Sequence, residues 1–229
     1  MNTRLELGRV GGVPIFLDMF LVLILIVFSY RYFTSGDSQL FSAGILIVIG
    51  ILASILLHEM GHMVVARLFK VRTSEIEIGG LGGLARFATS LPNSVLARAA
   101  IYLAGPVANL GLWQGFEALS TGSWGIGKPH LAIAMGTLGV INWWLMVFNM
   151  LPSFPLDGGR TLEALLGPLL GPVWSIRVVA GLGLAVTALC LWMALPTNLW
   201  MLLVAFALFQ TNWAALDSVG GFKGNGRGR

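Results

Sequence analysis

Charge is the property that this sequence has least of. Its 229 residues include 14 Lys and Arg and 10 Asp and Glu, so charged residues make up 10% of the chain. Soluble domains carry roughly 25%. Hydrophobic residues make up 56%, and the mean hydropathy is +0.84. Because so few charges could not cover the surface of a soluble fold of this size, the composition excludes a soluble domain and a disordered chain.

Cysteine is also scarce, and the basic residues are not clustered. The single cysteine, Cys190, excludes an intrachain disulfide framework, and its apolar surroundings indicate a small buried side chain. The sequence pI of 9.7 would suit a nucleic-acid partner. The basic residues are dispersed over several segments, however, so we expect no nucleic-acid binding.

Long apolar runs take the place of the missing charges. A membrane-spanning helix needs about 20 mostly apolar residues. Six segments qualify as candidates: Val13–Phe33, Phe41–Phe69, Val95–Leu119, Leu131–Leu151, Val178–Leu195 and Leu199–Leu216. Only Pro196-Thr197-Asn198 separates the last two, which predicts a tight helical hairpin. We therefore predict an all-α polytopic membrane protein with about six transmembrane helices and a short membrane-associated β-hairpin.

Lysine and arginine predict the orientation. If the N-terminus is cytoplasmic, 12 of the 14 basic residues fall on the cytoplasmic side. This distribution predicts a multi-pass protein, most simply of the plasma membrane, with both termini in the cytoplasm. We expect a single integral-membrane domain over residues 1–217, with its catalytic core at about 41–172. Residues 218–229 are expected to form a flexible cytoplasmic tail.

The densest polar cluster inside an apolar run is His58-Glu59-Met60-Gly61-His62. Two histidines four residues apart share one face of a helix and can bind one ion. Glu59 lies beside the first histidine, where it can act in catalysis without binding the metal. This H-E-x-x-H arrangement is typical of zinc hydrolases. The alternative is a pair of hydrogen-bonded core histidines, but ionisable groups in a membrane span are usually functional.

A catalytic zinc normally has three protein ligands, so a third is needed. Asp18, Asp37 and Glu117 lie near the ends of other spans without a supporting motif, and His130 opens the fourth span on the opposite side. Asp157 fits better because it follows the cytoplasmic end of that span, at a depth similar to that of the histidines. Its alternative role is to cap the next helix.

Two polar amides within the predicted spans are further candidates. Asn109 follows Gly105-Pro106 in the third span, and Asn149 lies near the end of the fourth. Gly and Pro loosen a helix and let another backbone approach. Each amide could hold neighbouring helices together. Each could equally bind substrate, and Asn109 could stabilise an oxyanion.

A strand-like segment separates the second and third spans. Glu75-Ile76-Glu77-Ile78 alternates with the period of a strand, and Gly79, Gly80, Gly82 and Gly83 suit a tight reversal. We predict a β-hairpin that dips towards the membrane. Its four glycines are candidate substrate-binding residues, because an edge strand can pair with an extended peptide. The alternative is an ordinary connecting loop.

These motifs together resemble the site-2 protease family of intramembrane zinc metalloproteases. The resemblance covers roughly Leu7 to Leu166 and includes the zinc motif, Gly105-Pro106-x-x-Asn109, and the segment from Asn149 to Gly159. It implies that His58, His62 and Asp157 bind one Zn²⁺ and that Glu59 is the catalytic acid/base. It also supports the substrate-pairing strand. The sequence contains no insert long enough for a PDZ domain, and the tail after Leu216 is too short for a CBS domain, so we expect a minimal member of the family.

The expected function is hydrolysis of peptide bonds in transmembrane segments of membrane-anchored proteins, close to the cytoplasmic face. Three alternatives stay open. The chain could be a zinc transporter or a non-catalytic membrane binding protein. It could also be a protease whose metal lies in a soluble lobe, with Glu163 as the third ligand. The sequence does not indicate the oligomeric state.

Overall fold

A computed structural model describes residues 4–79, 82–122, 127–194 and 199–220. Most of these residues are helical. The elements in chain order are β1 Arg4–Val10, β2 Val13–Asp18, α1 Met19–Phe28, α2 Tyr30–Phe33, α3 Ser38–Leu68, β3 Thr73–Gly79, β4 Gly82–Phe87, α4 Val95–Thr121, α5 Pro129–Asn149, α6 Asp157–Ala194 and α7 Leu199–Ser218. The chain divides into two compact units, and the division falls within α4 and α5. The first unit is Met1–Pro92 with Ala104–Val147, and the second is Asn93–Leu103 with Phe148–Arg229.

The first unit contains a four-stranded sheet in the order β1-β2-β3-β4. The outer pairs are antiparallel, and β2 runs parallel to β3. Alternate residues of β2, from Val13 through Ile15 to Leu17, are buried, as are Ile76 and Ile78 in β3. This alternation is the pleated pattern of a sheet with one buried face. The predicted hairpin is therefore present, as β3 and β4.

Helix α3 is the central element of the first unit. Asp37 caps it by accepting a hydrogen bond from the Gln39 amide at 2.7 Å. Its 31 residues give it a length of about 45 Å, more than a bilayer core requires. The buried residues Ile47, Ile51 and Ile55 recur every four positions, and this buried face continues into the H-E-x-x-H motif. Helical periodicity thus directs the motif inward.

The second unit contains α6 and α7 and the loop that precedes α6. Asn212 on α7 is fully buried, and its amide binds both backbone groups of Phe154 in that loop, at 3.1 and 2.9 Å. Gly171, with φ of 77°, interrupts α6. The fifth span predicted from the sequence, Val178–Leu195, therefore corresponds to the part of α6 after the kink at Gly171.

Within the described residues, α3, α4, α5 and α6 are long and apolar enough to cross a membrane. The predicted count of six is not confirmed. The first predicted span, Val13–Phe33, instead begins as strand β2 and continues as the ten-residue α1 and the four-residue α2. Asp18 ends the strand and caps α1 by accepting from the Phe20 amide at 2.9 Å. Average hydropathy did not separate these two kinds of apolar segment.

Several predictions fall wholly or partly outside the described residues. The turn Pro196-Thr197-Asn198, Gly80 and most of the tail at 218–229 lie there. The single domain ending at residue 217 and the catalytic core at 41–172 stay predictions.

Candidate metal centre

His58, Glu59 and His62 lie on the inward face of α3 and are 6%, 3% and 5% exposed. One helical turn separates the two histidines, so their rings approach each other. Their Nε2 atoms are 3.1 Å apart. Buried polar side chains of this kind require partners, because their desolvation is otherwise unfavourable.

The separation of the two nitrogens fits zinc. A tetrahedral zinc with Zn–N distances of about 2.0–2.1 Å holds two nitrogens roughly 3.3 Å apart. The observed 3.1 Å is close to that value. Imidazole nitrogen is also a donor that zinc prefers. Both the chemistry and the spacing of this pair therefore suit zinc.

Glycines make room for the histidines where α3 meets α4. A Cβ on Gly105 would lie 2.5 Å from His58 Nε2 and would also overlap His62 Nε2. A Cβ on Gly61 would lie 2.7 Å from the Ala104 carbonyl oxygen. Only glycine fits at either position without displacement. The pair Gly105-Pro106 predicts a close backbone approach in the sequence, and the structure has this approach.

Asn109 holds the ring of His58. Its Oδ1 atom lies 2.5 Å from His58 Nδ1, and its Nδ2 atom donates to Asn142 Oδ1 at 2.8 Å. The Asn109 side chain is fully buried. Of the two roles considered for this amide, the geometry favours holding neighbouring groups together. A role towards substrate or an oxyanion stays a prediction.

Asn142 and Ser54 complete this buried network, and neither residue belongs to a motif recognised in the sequence. Asn142 Nδ2 donates to Ser54 Oγ at 2.9 Å and to the Leu138 carbonyl at 2.9 Å. Both side chains are almost fully buried. A polar amide in the middle of the predicted fourth span was the available signal, since such residues are uncommon in hydrocarbon.

Asp157 is the first residue of α6, as predicted from Pro152 and Pro155 before it. The loop backbone packs tightly here, because a Cβ on Gly159 would lie 2.5 Å from the Ser153 carbonyl oxygen. Asp157 belongs to the second unit, whereas His58 and His62 belong to the first.

The other ligand candidates lie elsewhere. His130 Nδ1 pairs with Gln39 Oε1 at 2.6 Å. Two imidazoles and one carboxylate make a donor set that fits zinc. Asp157 as the third ligand stays a proposal, developed below.

The hairpin approaches the carboxylate of Glu59. A Cβ on Gly83 would overlap Glu59 Oε1 and would lie 2.6 Å from its carboxyl carbon. Gly79 and Gly82 pair with each other across the hairpin. Of the four glycines predicted to bind substrate, Gly83 therefore contacts Glu59, the predicted catalytic residue. Asn149 is the last residue of α5 and is half-buried.

Known proteins share these features. The model of the family "Peptidase family M50" matches residues 46–125. The Synechocystis protein sll0528, whose name includes "zinc metalloprotease", is 30% identical over 226 residues. Zinc metalloprotease MJ0392 of Methanocaldococcus jannaschii is 28% identical over 210 residues. The alignments cover 92% and 91% of this chain but 59% of each relative, so the chain spans about three fifths of their length.

A solved structure has the same fold. It is the "Site-2 Protease from Methanocaldococcus jannaschii", which matches with a TM-score of 0.68 and 25% sequence identity. The match covers 93% of this chain and 94% of that one. The fold is that of this site-2 protease, and the family model and the relatives are those of zinc metalloproteases. The comparisons therefore confirm the resemblance to the site-2 protease family noted from the sequence.

Proposed function

We propose that this protein is a site-2-type protease that hydrolyses peptide bonds within transmembrane segments. The observation that carries the proposal is the pair of histidine Nε2 atoms 3.1 Å apart beside buried Glu59, on a helix long and apolar enough to span a membrane. His58, His62 and Asp157 would bind the zinc ion. Ionisable groups inside an apolar span are usually functional, and the H-E-x-x-H spacing on a helix is that of zinc metalloproteases.

Glu59 is the proposed acid/base. Bound zinc would supply a Lewis acid that polarises a carbonyl group and makes water more acidic. The Glu59 carboxylate accepts a proton from the attacking water and delivers it to the leaving amine as the peptide bond breaks. Its burial at 3% exposure keeps it away from bulk solvent and near the two histidines. The tight contact with Gly83 limits where the carboxylate can lie.

Strand β4 is the proposed substrate platform. In the described part of the chain it is one of the two edge strands of the sheet, and Gly83 on it touches Glu59. An extended peptide paired along this edge would run past the carboxylate. A helical substrate must first unwind, because its carbonyls are otherwise hydrogen-bonded within the helix. We therefore expect substrates with helix-loosening residues in a transmembrane segment.

The proposed orientation places cleavage near the cytoplasmic face. On the positive-inside rule, 12 of the 14 basic residues and both termini are cytoplasmic. His62 lies five residues before Arg67, which is about 7–8 Å along a helix. Water then has a short route to the centre. Substrates would be membrane-anchored proteins.

The decisive experiment compares Glu59→Gln with Glu163→Gln, each purified and assayed on a transmembrane substrate. Glu59→Gln should retain zinc and lose cleavage by about 100-fold or more, since general acid–base catalysis contributes 10²–10⁴-fold. Glu163→Gln should cleave and bind zinc normally. A fully active Glu59→Gln enzyme would refute the mechanism. Zinc flux into proteoliposomes without any cleavage would favour the transporter.

A further inference from the structure

We infer that Asn142 and Ser54 are positioning residues that select the tautomer of His58. The inference rests on the proposed function, because it concerns how a zinc-binding histidine is prepared. Four buried side chains form a continuous series of hydrogen bonds from Ser54 through Asn142 and Asn109 to His58, with separations between 2.5 and 2.9 Å. All of them belong to the first unit.

Backbone carbonyls fix the direction of this series. The Leu138 carbonyl can only accept, so the NH₂ group of Asn142 must face it, and that bond is 2.9 Å. Ser54 Oγ donates its proton to the Gly50 carbonyl at 2.7 Å, so it accepts from the same NH₂ group. Asn142 Oδ1 must then face Asn109.

The remaining orientations follow from this one. The buried Oδ1 atom of Asn142 requires a donor, so Asn109 presents its NH₂ group to it at 2.8 Å. Asn109 Oδ1 is left to face His58 Nδ1, which must therefore carry the proton. Nε2 then presents its lone pair towards His62. Metal-binding histidines need their other ring N–H held in this way, and loss of such partners typically weakens metal binding 10–100-fold.

The test measures zinc affinity in purified Asn142→Leu and Ser54→Ala by competition with a chromophoric chelator. Thr187→Val is the matched control, because Thr187 is also a buried helical residue whose hydroxyl bonds a backbone carbonyl. Asn142→Leu should bind zinc about tenfold more weakly, at the lower end of the range for outer partners. Ser54→Ala should also bind zinc more weakly than wild type, but with a smaller loss than Asn142→Leu. Thr187→Val should bind zinc with wild-type affinity.

A second readout separates positioning from general destabilisation. In cobalt-substituted protein the visible absorption reports the ligand set, so Asn142→Leu should shift the bands and Thr187→Val should not. Folded Asn142→Leu with wild-type affinity and spectrum would overturn the inference. If Asn142→Leu does not fold, a Ser54→Ala variant that binds zinc with wild-type affinity would overturn the inference instead. No substrate is used, so a failure of the proteolytic proposal would be seen separately, in the cleavage assay.

A different region carries a second, independent inference. We propose that a basic cavity at the end of α3 binds the phosphate of an anionic phospholipid. The cavity has a volume of about 470 Å³ and is lined by Arg67, Lys70, Arg72 and the turn at Gly11 and Gly12. None of its lining residues is acidic. Arg67 Nη2 donates to the Gly11 carbonyl at 2.6 Å, which holds the guanidinium at the cavity wall.

Lys70 has an unfavourable backbone conformation that marks it as more than a surface charge. Its φ is +62°, in the left-handed region. Lys70 N donates to the Arg67 carbonyl at 3.0 Å and Val71 N to the Ala66 carbonyl at 2.9 Å, which together form a Schellman motif. Glycine usually occupies this position. The dipole of α3 would favour a cation anywhere in its last turn. It therefore does not explain why a lysine occupies the left-handed position 70.

The depth of the cavity favours lipid as the source of the phosphate. The apolar span of α3 ends at Leu68, so the basic residues just beyond it lie at the level of the lipid headgroups. Basic residues near that surface attract anionic lipids.

The test compares wild type, Lys70→Gly and Lys128→Gly in a neutral detergent. Lys128 is an exposed lysine outside the cavity, so its substitution removes the same charge. Phosphatidylglycerol, phosphatidylcholine and inorganic phosphate are added separately. Bound lipid is counted by native mass spectrometry, and the melting temperature is recorded.

Phosphatidylglycerol should bind wild type and raise its melting temperature, whereas phosphatidylcholine should not. Lys70→Gly should bind phosphatidylglycerol about fivefold more weakly. It should nevertheless melt at a higher temperature than wild type without lipid, because glycine relieves the left-handed strain. If Lys70→Gly and Lys128→Gly lose phosphatidylglycerol affinity equally, the proposal is overturned. It is also overturned if inorganic phosphate raises the melting temperature and phosphatidylglycerol does not.

Discussion

Substitution of Gly105 by alanine tests how closely the metal centre depends on glycine. The added Cβ would lie 2.5 Å from His58 Nε2 and 2.6 Å from His58 Cε1, and it would overlap His62 Nε2. Ordinary van der Waals contact begins at about 3.4 Å. One methyl group would therefore press on both histidines at the nitrogens that face each other.

The expected size of the effect follows from these distances. The rings must retreat by roughly 0.9 Å, or α4 must move away from α3 by a similar amount. Metal sites hold their ligand distances within about 0.2 Å. A displacement several times larger should weaken zinc binding by at least 100-fold, beyond the 10–100-fold typical of lost outer partners. The free energy equivalent is about 2.7 kcal/mol.

Gly111 provides the control, because it lies on the same helix and a Cβ there would meet nothing within 4 Å. Gly111→Ala should bind zinc normally and melt slightly higher, since alanine favours a helix over glycine by about 0.5–1 kcal/mol. Both variants are measured by chelator competition and thermal melting. Gly105→Ala with zinc affinity within threefold of Gly111→Ala would refute the proposed packing of α4 against the histidines.

Three further outcomes are expected. Gly83→Ala should keep its zinc but lose at least about tenfold in kcat, because its Cβ overlaps the Glu59 carboxylate; equal losses of zinc and activity would contradict this. Asn212→Leu should weaken zinc binding and destabilise the fold by about 1–3 kcal/mol, because it removes the acceptor of the Phe154 N–H in the loop before Asp157; calorimetry and chelator competition report the two effects. Removing zinc with a chelator should lower the melting temperature by the equivalent of about 2.7 kcal/mol if free zinc had been 100 times Kd; an unchanged melting curve would argue against bound metal.

Local patterns predicted the central part of the site. The four-residue spacing of His58 and His62 is a property of any helix, and the alternation before Gly79 is a property of any strand. Both needed only neighbouring residues, so both could be predicted from sequence. Proline residues before Asp157 likewise predicted where α6 begins.

Residues that act through contacts distant in sequence could not be predicted in this way. Asn142 lies 33 residues from Asn109 and 88 from Ser54, and only the packed helices bring them together. The first predicted span differs from the structure for another reason. Hydropathy averaged over Val13–Phe33 is high whether the chain is a strand or a helix, and Asp18, which separates the two, is a single residue.

The scarcity of charge also explains why amides, and not a carboxylate, hold His58. Many metal-binding histidines are held by an acidic group. A second buried carboxylate beside Glu59 would add a charge where desolvation is most unfavourable. Asn109 and Asn142 provide the same directional control without charge, because each amide has one donor and one acceptor side. The Leu138 and Gly50 carbonyls set the direction of these amides, and any helix offers such carbonyls, so the proposed centre requires no further ionised residue beside His58.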